Sequence, residues 1–221
     1  RLEHCAVRGG GERIAWLPKT VVSIAGDDAC LLGCRVDGHI AITGARSRVT
    51  SCRASGVISD GADAVTISRS SFCGMQWDCA VDLSGGSGHV VDGTEFHRVL
   101  QAVRLTGTIG AEIRGNDIHA RWWGIQLIDT EGSMVFGNSI TDTMRAVDVD
   151  GGTLAQVTGN AVHDGDSGCL VQRGASDAEV TGNHWERCRV GLLAWDTGRV
   201  RHHGNAAVDL LEPDAAAVVG P

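Results

Sequence analysis

The 221-residue chain has no tyrosine, three prolines, 4% aromatic residues and a single lysine among its 19 basic residues. No apolar run approaches the ~20 residues a helix needs to cross a membrane; the longest are stretches such as Ala215–Val219. The N-terminus shows no apolar segment of signal-peptide type, and the chain opens on Arg1 rather than Met. A net charge of −8 argues against a general nucleic-acid binder, which carries a basic face against phosphate. The excess of arginine over lysine reads as the coding bias of a GC-rich bacterial genome. Eight cysteines are present, without a Cys-x-x-Cys pair or a Cys/His cluster of zinc spacing. A chain this long builds a core without disulfides, so these cysteines are expected to be reduced and buried. Without a signal and with so many thiols, a cytoplasmic location is favoured over a secreted one.

Glycine is in excess, at 31 residues, about twice its usual ~7% share. Much of it is periodic. Gly-Asn recurs at Asn116, Asn138, Asn160, Asn183 and Asn205, with spacings of 22, 22, 23 and 22. A period near 22 signals a solenoid. The context repeats as well: Ile113-Arg-Gly-Asn-Asp-Ile118, Val135-Phe-Gly-Asn-Ser-Ile140, Val157-Thr-Gly-Asn-Ala-Val162 and Val180-Thr-Gly-Asn-His-Trp185 share one template. A second alternation follows each unit, at Ile125-Gln-Leu127, Val147-Asp-Val149, Cys169-Leu-Val171 and Leu192-Leu-Ala194. Alternation by two is strand geometry, and Gly and Asn suit left-handed corners between strands. The template extends upstream through Val65–Phe72, Val91–Phe96 and Leu32–Val36 to Leu2–Val7, whose later strand would be Ile14-Ala-Trp16.

Stacking the units gives a polar corner column of Cys5, Cys34, Cys52, Ser70, Thr94, Asn116, Asn138, Asn160, Asn183 and Asn205. Side chains ~4.8 Å apart can hydrogen-bond along such a column. The next column is apolar throughout: Val7, Val36, Ala54, Phe72, Phe96, Ile118, Ile140, Val162, Trp185 and Ala207. It should face the core.

With these units the sequence resembles the right-handed parallel β-helix superfamily, the pectate-lyase-like fold that includes the parallel β-helix repeat proteins. The resemblance implies an all-β solenoid of about ten coils with three short strands per coil. It places the Asn/Cys ladder between the second and third strands and makes the later alternation the first strand. Ten coils at ~4.8 Å each form a rod of roughly 45–50 Å. The expected division is residues 1–212 for the β-helix and 213–221 for a tail beginning at Pro213, which stops strand pairing and leaves the Ala/Val segment to fold over as a lid. The N-terminal side lacks a polar cap, so either a longer protein or self-association through the open coil end is expected to cover it.

The resemblance puts a substrate groove on the outer face of the first-strand sheet. The outward positions there read Ala41, Ile58, Asp82, Arg104, Gln126, Asp148, Leu170 and Leu193, and the next outward column includes Asp150 and Gln172. Asp82, Arg104, Gln126, Asp148 and Asp150 therefore form a polar island at mid-rod. Residues two apart on a strand are ~6.8 Å apart, so Asp148 and Asp150 fit the ~6.5–9.5 Å carboxylate spacing of inverting glycosidases. Crowded carboxylates raise one another's pKa, which suits an acid/base pair. Asp148 is the expected acid/base. Arg104 is the expected clamp for a substrate anion. The turn before the first strand adds Trp77-Asp78, Arg121, Trp122, Trp123 and Arg145, where tryptophans can stack on sugar faces. His119 on the third strand could reach the groove as a general base. In any solenoid, polar residues also take outward strand positions simply because they face water.

No cofactor is expected. A His97/His119 metal pair lacks an obvious third ligand; the other metal alternative is Ca²⁺ on Asp148, Asp150, Asp164 and Asp166 through oxygen ligands. The Asn-Thr-Asp and Gly-His-Gly signatures of polygalacturonase-like enzymes are absent. So are the Asp-Pro-His element of alginate-type epimerases and the Trp-Ile-Asp-His of pectate lyases. No family's catalytic residues transfer. The sequence thus points to an acid/base enzyme (lyase, epimerase, isomerase or glycoside hydrolase) acting on a polyhydroxylated, anionic small molecule or saccharide, with neither nucleic acid nor membrane as partner. The alternatives are a cytoplasmic small-molecule isomerase or cyclase on the same scaffold and a non-catalytic binding or assembly module.

Overall fold

The structure is a computed structural model that describes residues 2–3, 6–8, 20–74, 79–210 and 217–219, with side chains described for 22–74 and 79–210. Every strand pairs in parallel with its counterpart one turn away, and no helix occurs among the described residues. The second strands, from Leu2–Glu3 through Met134–Phe136 and Gln156–Thr158 to Val200–His203, form one ten-stranded sheet. The third and first strands share the other sheet. The chain is therefore an all-β, right-handed parallel solenoid, as the resemblance implies. It makes about eight turns rather than ten.

The ladder explains the period. The backbone N–H of Asn116 donates to Asn138 Oδ1 at 3.0 Å, and Asn116 Nδ2 donates to the same oxygen at 2.9 Å. Asn138, Asn160 and Asn183 repeat both bonds to the next asparagine. Each Nδ2 also donates to a carbonyl of the preceding turn, as Asn160 Nδ2 does to Val135 at 3.0 Å. The upstream residues continue the column more weakly: Thr94 N–H donates to Asn116 Oδ1, Cys52 N–H to Ser70 Oγ, and Cys34 N–H to Cys52 Sγ at 3.4 Å. The glycines before the asparagines hold φ of 60–64°, a left-handed corner that costs an L-residue about 1–2 kcal/mol. Cys5 and the Ile14–Trp16 segment lie outside the described residues.

Inside the corner, Val36, Ala54, Phe72, Phe96, Ile118, Ile140, Val162 and Trp185 are buried in one core column. Phe72 and Phe96 stack with centroids 5.5 Å apart. Trp185 fits because Gly168 faces it; a Cβ there would lie 2.3 Å from the indole. Ala207, expected in this column, is exposed instead; among the described residues no further strand stacks beyond it. Ala217–Val219, expected in the tail, pairs as a strand on Leu192–Ala194. The seven described cysteines are all free, and five are buried, as expected.

Arginines clip successive turns together. Arg46 pairs with Asp28, Arg104 with Asp82, Arg114 with Asp92, Arg173 with Asp150, Arg187 with Asp164, Arg189 with Asp166 and Arg199 with Asp177. In each pair the aspartate belongs to the earlier turn. The planar guanidinium fork suits a carboxylate one strand spacing away, which gives the abundance of arginine a structural use.

Replacing Asn160 by alanine leaves buried partners on both neighbouring turns unmatched. Each such group costs about 1–3 kcal/mol. Asn160→Ala is expected to lower stability by roughly 2–5 kcal/mol in denaturant unfolding, and Asn205→Ala, at the partly exposed end of the ladder, by much less. Equal losses at the two positions would argue against a buried ladder.

Candidate functional site

The register brings the predicted first-strand column together. Ala41 stacks on Ile58, Ile58 on Asp82, Asp82 on Arg104, Arg104 on Gln126, Gln126 on Asp148, Asp148 on Leu170 and Leu170 on Leu193. Asp150 stacks between Ile128 and Gln172. Strand alternation sends Val147 and Val149 into the core and Asp148 and Asp150 to the opposite face.

That face is not simply solvated. Asp148 has 0% exposure and Asp150 6%. Three side chains from three successive turns converge on Asp148. Gln126 Nε2 donates to Oδ2 at 3.3 Å, Gln172 Nε2 donates to Oδ1 at 3.1 Å, and Arg145 lies 3.3 Å from Oδ2. Gln101, itself buried, donates to Gln126 Oε1 at 2.9 Å and extends the net by another turn. Burial raises the Asp148 pKa above the ordinary carboxylate range, and the charge of Asp150 adds to the rise. Arg145 and the Gln126 hydrogen bond act against it. Arg145 and Gln126 are the partly exposed groups above Asp148.

The other expected residues divide between two places. Arg104 grips Asp82 with Nε to Oδ1 at 3.0 Å and Nη2 to Oδ2 at 2.5 Å. The expected anion clamp therefore already holds a carboxylate of its own chain. Asp150 is bound by Arg173 at 2.9 Å. Arg121, Trp122 and Trp123 do not lie in a turn. They belong to one continuous strand, Asp117–Ile128, beside a second long strand, Glu95–Thr106. The third and first strands fuse here because the corner is bent by register shifts between His97, Val99 and Gln101. Trp122 is 41% exposed and meets Trp123 edge to face at 5.9 Å. The Trp123 Nε1 is buried without a hydrogen-bond partner. Trp77-Asp78 lie outside the described residues.

His119 stacks between His97 and Thr141, as predicted for the outward third-strand column. Its Nε2 sits 2.5 Å from Asp142 Oδ2 on the next turn, on the other side of the bend from Asp148. This pair lines a hollow of about 260 Å³ with Arg98, Val99, Ala120 and Arg121. His97 pairs with Glu95 instead of joining a metal site. The four aspartates considered for Ca²⁺ all face arginines: Asp148 meets Arg145, Asp150 Arg173, Asp164 Arg187 and Asp166 Arg189. Such a donor set is already neutralised, and among the described residues no cluster of three or more metal-ligating side chains occurs.

Gln101, Gln172, Asp142 and Arg98 were not singled out from the sequence as site residues. Gln172 stands in the second outward column and could have been added by register. The other three fall at the bend, where counting by twos fails.

Residues 55–207 match the family model of the right-handed β-helix region, and the chain belongs to that family. No curated protein matches it in sequence. Among solved structures it is similar to PfbA, a surface adhesin of Streptococcus pneumoniae, with 16% identity, a TM-score of 0.57, and coverage of 86% of this chain and 59% of the adhesin. It is similar to the tailspike of the E. coli bacteriophage HK620, with 11% identity, a TM-score of 0.57, and coverage of 80% and 42%. It is also similar to the periplasmic alginate epimerase AlgG, with 12% identity, a TM-score of 0.51, and coverage of 78% and 56%. At these identities the likeness shows the shared fold, and this chain spans about half the length of those proteins.

A carboxyl whose native pKa is raised binds protons that the unfolded chain has already released. Its charge therefore weakens the fold increasingly as pH rises from the ordinary carboxylate range through the native pKa. Asp148→Asn is expected to gain stability relative to the parent over that interval and to lose the gain in acid. Thermal unfolding across pH checks this; a difference that does not change with pH overturns the assignment of a raised pKa.

Proposed function

We propose that the chain is an acid/base enzyme acting on a polyhydroxylated, anionic, saccharide-like substrate laid across the first-strand face, with Asp148 as the proton-transferring group. The observation that carries this reading is the buried Asp148 carboxyl, with its raised pKa, beneath the partly exposed Arg145 and Gln126.

The geometry suggests how binding arms the site. Arg145 is the strongest influence keeping Asp148 ionised. A substrate carboxylate that draws Arg145 toward itself removes that influence and opens the cover. The Asp148 pKa then climbs further and the group becomes an acid at neutral pH. Arg145 takes over the anion-clamping role first given to Arg104, Gln126 offers its amide to hydroxyl groups, and Trp122 offers an exposed ring face at the edge. The reaction class follows from one mobile proton and an anionic sugar: elimination, epimerisation, isomerisation or hydrolysis. A fold neighbour that is an alginate epimerase supports the substrate class.

A second reading, a non-catalytic binding or assembly rod, is favoured by the closed Asp82–Arg104 and Asp150–Arg173 pairs, which leave little free charge in the island. One experiment separates the two. The protein is incubated with uronate oligosaccharides and small sugar acids, and both conversion and binding are followed. The catalytic reading expects turnover that falls at least about a hundredfold in Asp148→Asn, with binding retained, and an Arg145→Ala variant that loses binding as well as rate. Binding without conversion in the parent, unchanged in Asp148→Asn, establishes the binding rod instead.

A further inference from the structure

Asp148 receives donors on both of its oxygens, and the two sets differ in kind. Oδ2 meets the Arg145 guanidinium and Gln126 Nε2, each at 3.3 Å. Oδ1 meets Gln172 Nε2 alone among the described residues, at 3.1 Å. An ionised carboxylate only accepts, so Gln126 must turn its amide nitrogen toward it. Gln126 Oε1 then faces Gln101, which must present its own nitrogen, as it does at 2.9 Å. The carboxylate thus sets the direction of the whole chain Gln101–Gln126–Asp148. Gln101 and Gln172 are both buried, so a partner lost here is costly to replace with water.

A proton on Asp148 changes what each oxygen needs, because an O–H must find an acceptor. On Oδ2 it would point at two donors. Gln126 accepts only by reversing its amide; its nitrogen then faces the nitrogen of Gln101, and Gln101 has to reverse as well. The Arg145 guanidinium, which has no acceptor to offer, would still stand beside the proton. On Oδ1 a single reversal is enough: Gln172 turns its Oε1 to the O–H. No other hydrogen bond opposes that turn, since Gln172 Oε1 has no partner among the described residues. Oδ2 then keeps both donors as a carbonyl-type acceptor, and the net is matched in both states.

We infer that the acidic proton of Asp148 resides on Oδ1 and that Gln172 is the positioning residue that admits it, donating to the carboxylate and accepting from the acid, while Gln101 and Gln126 hold Oδ2 unchanged. The inference takes its catalytic meaning from the acid/base reading of the same face, although the placement of the proton does not depend on turnover. The other charges around Asp148 have partners of their own. Asp150, on the same strand, is held by Arg173 of the next turn; Arg104, stacked on Gln126, is held by Asp82; and Asp166, whose carboxylate feels the charge of Arg145, is held by Arg189. On the core side, the Cys169 thiol stacks on Val147, and burial raises its pKa and keeps it protonated. For a substrate the consequence is an orientation: its anion on Arg145 lies toward Oδ2, and the atom that exchanges the proton lies toward Oδ1 and the later turn.

The test is an NMR titration of the full chain carrying isotope-labelled glutamine and aspartate, followed from acid to mildly alkaline pH. The five glutamines are assigned by single substitution. As Asp148 takes up its proton, the Gln172 side-chain carbonyl carbon is expected to move downfield with the same midpoint, because it gains a hydrogen bond from an acid. The Gln101 and Gln126 carbonyl carbons should move several-fold less, and in Asp148→Asn the Gln172 response should vanish. Gln172→Met removes the acceptor at Oδ1 and should transfer the response to Gln126 and Gln101 together; the parent titration decides the matter alone should this variant not fold. Gln126 and Gln101 responding in the parent in place of Gln172, no glutamine responding, a Gln172 response that survives Asp148→Asn, or an Asp148 that does not titrate in the folded protein each overturns the inference. Turnover is read separately. A Gln172 response without conversion of any sugar acid sinks the enzyme reading and leaves the proton on Oδ1, whereas turnover lost in Asp148→Asn with Gln126 and Gln101 reversing keeps the enzyme and overturns this placement.

Discussion

Asn138, Asn160 and Asn183 each use the side-chain carbonyl oxygen to receive two hydrogen bonds from the turn before and the amide to reach both neighbouring turns. In a water-free corner, these groups have no alternative partners, so any slip of one turn against the next strands several of them at once. That condition fixes the vertical alignment of the coil. Once the alignment is fixed, residues some 22 positions apart become neighbours, and the apolar columns, the arginine clips and the polar net around Asp148 all follow from it. The upstream turns, where cysteine, serine and threonine replace asparagine, hold the same alignment with fewer bonds per step.

Much of this was legible in the sequence because a parallel solenoid turns a one-dimensional period into a three-dimensional contact. The Gly-Asn units gave the corner, the alternation gave the core column, and the same counting placed Asp82, Arg104, Gln126 and Asp148 in one stack. Counting by twos says which face a residue takes. It does not say what covers that face. Asp148 reads as solvent-facing, yet it is sealed by Gln126, Arg145 and Gln172. Its altered acidity comes from that cover, which depends on long side chains from three turns.

The bend between the third and first strands was the least legible part. A turn was expected around Arg121–Trp123, but the two middle turns run through the corner as continuous strands and take up the change of direction by bulging. Bulges break the two-residue rule locally, so Arg98, Gln101 and Asp142 escaped notice. For the same reason His119 was associated with the first-strand island when its partner is Asp142 on the other side of the bend. Irregular pairing carries no periodic trace in a sequence.

The arginine clips share a direction. In every arginine–aspartate pair that joins two turns among the described residues, the negative group lies on the N-terminal side along the axis and the positive group on the C-terminal side. Their separations therefore add as vectors, and the rod acquires an electrical sense along its length although each clip is neutral by itself. Two such rods lying side by side repel when they point the same way and attract when they point opposite ways, while end-to-end contact favours tail to head. The same clips that bind turn to turn thus bias how neighbouring rods orient, an effect that salt would screen over about a nanometre.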